Sequence, residues 1–217
     1  MITFWVYLAL AAAFGFLMVQ QRDLSPSLGL MRAILKAVPA LALAMWLVQN
    51  PDFAPALWWM AAGLGLSGIG DFQLDLPDDK GFQSGLVAFL LGHIAYIGFL
   101  AGNMGALELW HGLAVLAVLA ACVGYLFWLM PALPEAMKGP IIAYTAVIGV
   151  MMAAAVMQQS VGAGLLALGA ISFGLSDMLL AYLKFKKSLP FGKSLNWLLY
   201  MGGQFGLAFG AAYAILG

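Results

Sequence analysis

About eight stretches of roughly 20 predominantly apolar residues follow one another along this chain, and that pattern leaves little choice of fold. Hydrocarbon offers no partner to a backbone N–H or C=O, so a segment that crosses it must satisfy these groups internally, as a helix does. The windows run approximately from Ile2 to Gln20, Leu28 to Val48, Phe53 to Phe72, Phe82 to Gly102, Leu107 to Met130, Gly139 to Met157, Val161 to Leu183 and Leu195 to Leu216. Short connections punctuate them: Ser-Pro-Ser at 25 to 27, Asn-Pro-Asp at 50 to 52, Leu-Pro-Asp-Asp at 76 to 79, Pro-Ala-Leu-Pro at 131 to 134 and Leu-Pro-Phe-Gly at 189 to 192. The expected fold is all-α: a polytopic membrane protein, about eight transmembrane helices in one bundle, with residues 1–217 forming a single transmembrane domain.

Composition supports this. Of 217 residues, 65% are hydrophobic and 8% charged, where a soluble domain carries about a quarter charged residues to wet its surface. Nine basic and nine acidic residues cancel, so net charge suggests no nucleic-acid partner. Cys122 is the single cysteine, which excludes an intrachain disulfide and a thiolate zinc cluster. The N-terminal stretch lacks a preceding basic region and a small-residue cleavage site, and reads as a retained first span.

The basic residues set the expected orientation. Arg22, Arg32 and Lys36 flank or enter the second span from the first connection. Lys80, Lys138, Lys184, Lys186, Lys187 and Lys193 belong to the third, fifth and seventh. The positive-inside bias then makes the odd-numbered connections cytoplasmic and both termini exoplasmic. Ser-Gly-Ile-Gly-Asp at 67 to 71 is echoed by Phe-Gly-Leu-Ser-Asp at 173 to 177. Four spans per half preserve orientation, so a parallel four-plus-four duplication is geometrically allowed.

Ionisable side chains inside spans are costly and mark functional positions by default. Here they are Lys36, Asp71, His93 and Asp177, accompanied by Tyr96, Tyr144, Ser176, Tyr200 and Gln204. At about 1.5 Å per residue, Asp71 and Asp177 lie roughly 5 to 10 Å inside the cytoplasmic boundary, and Lys36, His93 and Gln204 roughly 12 to 16 Å. Six helices thus direct polar groups at the cytoplasmic half of the membrane, as a cavity opening to that side requires. Both aspartates occupy the last turns of their helices, where the macrodipole works against a carboxylate. The alternative is structural, each aspartate pairing with a lysine or capping a neighbouring helix. No metal or cofactor is expected, because His111, the other histidine, belongs near the opposite face. The glycines of the third span, Gly63, Gly65, Gly68 and Gly70, read as helix contact surfaces, and Asp78, Asp79 and Lys80 as a solvated turn.

Five segments, taken in order, carry a resemblance: Lys-Ala-Val-Pro at 36 to 39, Gly-Asp-Phe-Gln-Leu at 70 to 74, Phe-Leu-Leu-Gly-His-Ile-Ala-Tyr at 89 to 96, Gly-Ala-Ile-Ser-Phe-Gly-Leu-Ser-Asp-Met-Leu-Leu-Ala at 169 to 181, and Tyr-Met-Gly-Gly-Gln at 200 to 204. Together they resemble the YhhN-like lysoplasmalogenase family of multi-pass membrane proteins. One departure is that Pro39 stands three residues after Lys36. The resemblance implies hydrolysis of the vinyl ether bond of lysoplasmalogens to a fatty aldehyde and glycerophospho-ethanolamine or glycerophospho-choline. It carries the family's polar positions onto Lys36, Asp71, His93, Tyr96, Ser176, Asp177, Tyr200 and Gln204.

Vinyl ether hydrolysis needs an acid to protonate carbon and a base to activate water, so Asp71 and Asp177 are expected to be the catalytic pair. Lys36, His93, Tyr96, Tyr144, Ser176, Tyr200 and Gln204 would support them or bind a lysophospholipid in the membrane. The competing class is a small lipid- or ion-binding transporter using the same acids. A hydrolase of acyl lysophospholipids lacks a nucleophile motif such as GxSxG.

Overall fold

The computed structural model describes residues 26–50, 54–76, 79–102 and 104–216. Seven α-helices account for most of them: α1 (Pro26–Val48), α2 (Leu57–Leu74), α3 (Asp79–Ala101), α4 (Leu109–Leu129), α5 (Glu135–Val156), α6 (Ala163–Phe185) and α7 (Gly192–Leu216). A 3₁₀ turn, Met130–Ala132, follows α4, and Met104 pairs with Gln158 in an isolated antiparallel bridge. These helices are the second to eighth expected spans. The first expected span, Ile2 to Gln20, and Arg22 lie outside the described residues.

Six of the seven described helices are long and apolar enough to cross a membrane, so the chain is an integral, multi-pass membrane protein. The exception is α2, whose 18 residues include Ser67, Asp71, Gln73 and four glycines. Its position explains its composition. It packs against α1, α3 and α7, and about half of it is buried, so it meets lipid along only part of its surface. At the other extreme α4 packs chiefly on α5. Trp110 and Phe127 of α4 are 75% and 74% exposed, which suits a helix solvated by acyl chains.

Several boundaries differ from expectation. Helix α2 begins at Leu57, and its C-cap is Asp75, whose N–H bonds to the Phe72 carbonyl. Asp79 and Lys80, expected in a turn, belong to the first turn of α3. Pro39 sits inside α1, where it cannot donate a bond to the carbonyl one turn earlier. Such a loss is tolerated where neighbouring helices re-satisfy the backbone.

The closest approach in the bundle is between α6 and α7. A Cβ on Gly169 would stand 2.6 Å from the Leu207 nitrogen, one on Gly206 2.6 Å from the Gly169 Cα, and one on Gly203 2.8 Å from the Phe173 nitrogen. A Cβ on Gly162 would collide with the Gly210 carbonyl. Only glycine lets the two backbones touch in this way. The seam also fixes an antiparallel register that continues to the other end of the pair, where Leu183 packs beside Gly192. Among the α2 glycines, Gly63, Gly68 and Gly70 receive Tyr96, Leu41 and Phe89 respectively, whereas Gly65 faces open space.

Candidate active site

One end of the bundle is hollow. A cavity of about 420 Å³ lies where the start of α1, the end of α2, the start of α3, the end of α6 and the start of α7 come together. Asp71 of α2 and Asp177 of α6 both line it, with Lys36, Ser176 and Tyr200. Five of the nine residues singled out from sequence therefore meet in one enclosure.

The carboxyl groups have different neighbours. Asp71 is 3% exposed, and its Oδ2 accepts a hydrogen bond of 2.5 Å from the Tyr200 hydroxyl of α7. Asp177 Oδ2 accepts a 3.2 Å bond from the Tyr144 hydroxyl of α5 and lies 3.2 Å from His93 Nε2 of α3, though not in line for a directed hydrogen bond. The imidazole is oriented from behind: Nδ1 donates to the Phe89 carbonyl at 2.6 Å. A carbonyl can only accept, so Nδ1 carries the hydrogen and Nε2 is the nitrogen turned toward Asp177.

Tyr96 and Gln204 sit behind the cavity wall, whereas Ser176 lines it. Tyr96 donates to Gln204 Oε1 at 2.6 Å and approaches Ser67 Oγ at 3.3 Å; the space comes from Gly63, against which the Tyr96 ring packs. Gln204 Nε2 is buried with no hydrogen-bond partner among the described residues. Ser176 donates to the Phe173 carbonyl at 2.7 Å, inside its own helix. Phe89, His93, Phe173 and Tyr200 form a cluster of rings with centroids between 4.7 and 6.1 Å apart, and Trp197 packs on Tyr200. Trp197 is accordingly buried.

Lys36 does not bridge to either catalytic candidate. Its Nζ is 3.1 Å from Asp75 Oδ1, while Arg32 Nε is 2.7 Å from Asp75 Oδ2. Asp75 is thus a third cavity carboxylate, holding two cations, and it was missed because the sequence reading ended the span at Phe72. The signal was present in the spacing: Asp75 follows Asp71 by one helical turn, on the same face. Lys184, Ser188, Lys193 and Asn196 also line the cavity. Beside it a small apolar chamber of about 30 Å³ is lined by Leu86, Ile141, Tyr144, Ala181 and Phe185, with Asp177 shared between the two.

Residues 31–211 match the YhhN family. A Mus musculus protein named lysoplasmalogenase TMEM86B is 30% identical over 172 residues, covering 79% of this chain and 71% of that protein. A Mycobacterium bovis protein named lysoplasmalogenase is 31% identical over 154 residues, covering 69% of this chain and 58% of that protein. No solved structure matches the chain significantly.

Proposed function

The chain belongs to the YhhN family, and from that premise we propose that it is a lysoplasmalogenase-like hydrolase, cleaving the vinyl ether bond of a lysophospholipid with Asp71 and Asp177 as its acid and base. The observation that carries the reading is the meeting of two carboxyl groups from different helices in one cavity, each bonded to a tyrosine. That its relatives are named lysoplasmalogenases supports the choice of reaction.

The chemistry runs in three steps. One carboxylic acid transfers its proton to the vinyl carbon β to oxygen, leaving an oxocarbenium ion. The other, as carboxylate, stabilises that cation and takes a proton from water as the water adds to the α carbon, giving a hemiacetal. Collapse of the hemiacetal moves its hydroxyl proton to the glycerol oxygen, releasing a fatty aldehyde and the glycerophospho alcohol. One water is consumed and the acid–base pair ends with the protons it began with.

The unequal surroundings of the two carboxyls suit unequal roles. Tyr200 orients Asp71 and Tyr144 orients Asp177, with His93 Nε2 standing 3.2 Å from the latter. Rings packed around them limit the water that reaches the cation. The apolar lining of the small void beside Asp177 puts hydrocarbon side chains of α3, α5 and α6 next to that carboxyl. The gathering of Arg32, Lys36, Lys184 and Lys193 at the cavity end supports a cytoplasmic mouth by the positive-inside bias.

Asp71→Asn and Asp177→Asn keep size and hydrogen-bonding shape. Purified in detergent and given a lysoplasmalogen, each is expected to run as a folded protein and lose at least a hundredfold in aldehyde release, as loss of a general acid or base does. Wild-type rates from either variant refute the pairing.

A further inference from the structure

We propose that Lys184 and Lys193 anchor the phosphodiester of the lysophospholipid and so act as a ruler that presents the vinyl ether, and no other part of the chain, to the two aspartates. This rests on the hydrolase reading above and assigns its substrate a fixed pose.

The ruler is read along two helices. Lys184 follows Asp177 by seven residues on α6, and Lys193 precedes Tyr200, the partner of Asp71, by seven residues on α7. Seven residues are close to two turns, so each lysine shares a helix face with its counterpart about 10 Å away along the axis. All four residues line the same cavity.

The antiparallel register makes these two offsets one level. Phe173 packs against Gly203 and Leu183 against Gly192. Extending the same pairing sets Asp177 across from Tyr200, and Lys184 across from Lys193. The cavity therefore has an acid level and, nearer its mouth, a cation level.

The substrate has matching dimensions. From the β vinyl carbon to phosphorus there are seven bonds, through the ether oxygen and the glycerol backbone. An extended chain gains about 3.3 to 3.6 Å per three bonds, so that path spans about 8 Å. The flexible lysine stem covers the difference.

The other two cavity cations, Arg32 and Lys36, stand on α1. They share the single carboxylate of Asp75, which offsets part of the attraction they offer an incoming anion. Lys186, the neighbouring lysine of the α6–α7 connection, lies 3.4 Å over the Trp128 ring. Lys184 stands 4.7 Å over Phe82, a ring that also lines the cavity, so its ammonium is held at the mouth.

The test compares two substrates. Lysoplasmalogen and the corresponding 1-alkenylglycerol, which lacks phosphate, are assayed for aldehyde release by wild type, Lys184→Gln, Lys193→Gln and the double variant, with Lys138→Gln as a charge control. The ratio of kcat/KM for phospholipid over alkenylglycerol is expected to fall roughly tenfold per lysine, since charge-assisted contacts are worth about that much. The control leaves the ratio at its wild-type value. Inorganic phosphate added to the alkenylglycerol assay does not raise its rate, because the anchor works through the covalent tether.

An unchanged ratio overturns the proposal, as does an equal loss on both substrates, which marks a structural role. Activation by free phosphate overturns the ruler as well. Absence of aldehyde from lysoplasmalogen with wild-type protein is a separate result, and sinks the hydrolase reading itself.

Discussion

Replacing Asp75 by asparagine tests how charge is distributed in the cavity. Asp75 accepts from Arg32 at 2.7 Å and Lys36 at 3.1 Å, and the three side chains are only 13 to 18% exposed. At such separations and an effective dielectric constant of about 20, the pairs are worth about 5 to 6 kcal/mol each in gross Coulomb energy. Desolvation and residual exposure reduce the net value of a charged hydrogen bond to about 1.5 to 3 kcal/mol. An asparagine oxygen still accepts one bond, so the expected loss is about 2 to 3 kcal/mol, or about 5 to 10 °C in Tm for a chain of this size. The functional effect is larger. The released Lys36 ammonium has Asp71 one turn deeper on the same face of α2 as its next partner, and an ammonium beside a carboxyl favours the charged form. Aldehyde release by Asp75→Asn is then expected to fall more than tenfold. Adding Lys36→Met to Asp75→Asn removes the misplaced charge and restores part of that loss. Thermal unfolding in detergent and initial rates read both effects. Wild-type Tm and turnover in Asp75→Asn, or a double variant no better than the single, refute the reasoning.

Gly206→Ala adds a Cβ 2.6 Å from the Gly169 Cα; backbone cannot yield as a side chain does, so a loss of about 1 to 3 kcal/mol is expected, read as a lower Tm. Gly65→Ala, with nothing within 4 Å of its Cβ, is its matched control, and equal Tm values for the two remove the argument for the seam. Tyr96→Phe strips Gln204 Oε1 of its donor in a side chain whose Nε2 already lacks a partner. It is expected to cost about 1 to 3 kcal/mol while lowering turnover less than Asp71→Asn does; a variant as stable as wild type contradicts the hydrogen bond.

The fold was legible because hydrocarbon imposes a single rule on every span, and window length alone recovers α1 and α3 to α7 within a few residues. Helix α2 shows where that rule blurs. Its polar residues face protein, so apolar length stops marking its end, and Asp75 falls beyond the expected span. Asp71, Asp177 and Tyr200 could be found because polar groups inside spans are rare enough to stand out. What they bond to could not, since spacing along a chain gives depth but not rotation between helices. Hence Lys36, expected either to support the two aspartates or to bind lipid, pairs with Asp75, and His93 lies beside Asp177. Lys184 and Lys193 looked like ordinary loop charges, and only the register of α6 against α7 gives their spacing meaning.

The glycine seam has a consequence for how this site is made and altered. Helices α6 and α7 are consecutive and joined by six residues, 186–191, so they can associate as a hairpin once both have entered the bilayer. Seam, acid level and cation level all reside on that hairpin, except for Asp71, which arrives with α2. A single-residue insertion in α6 between Asp177 and Leu183 would turn Lys184 by about 100° and advance it by about 1.5 Å while leaving the backbone contacts at Gly169, Gly203 and Gly206 in place. Such an insertion takes the lysine off the face it shares with Asp177, so the head-group anchor can be lost by a local change, independently of the helices that supply the rest of the polar network.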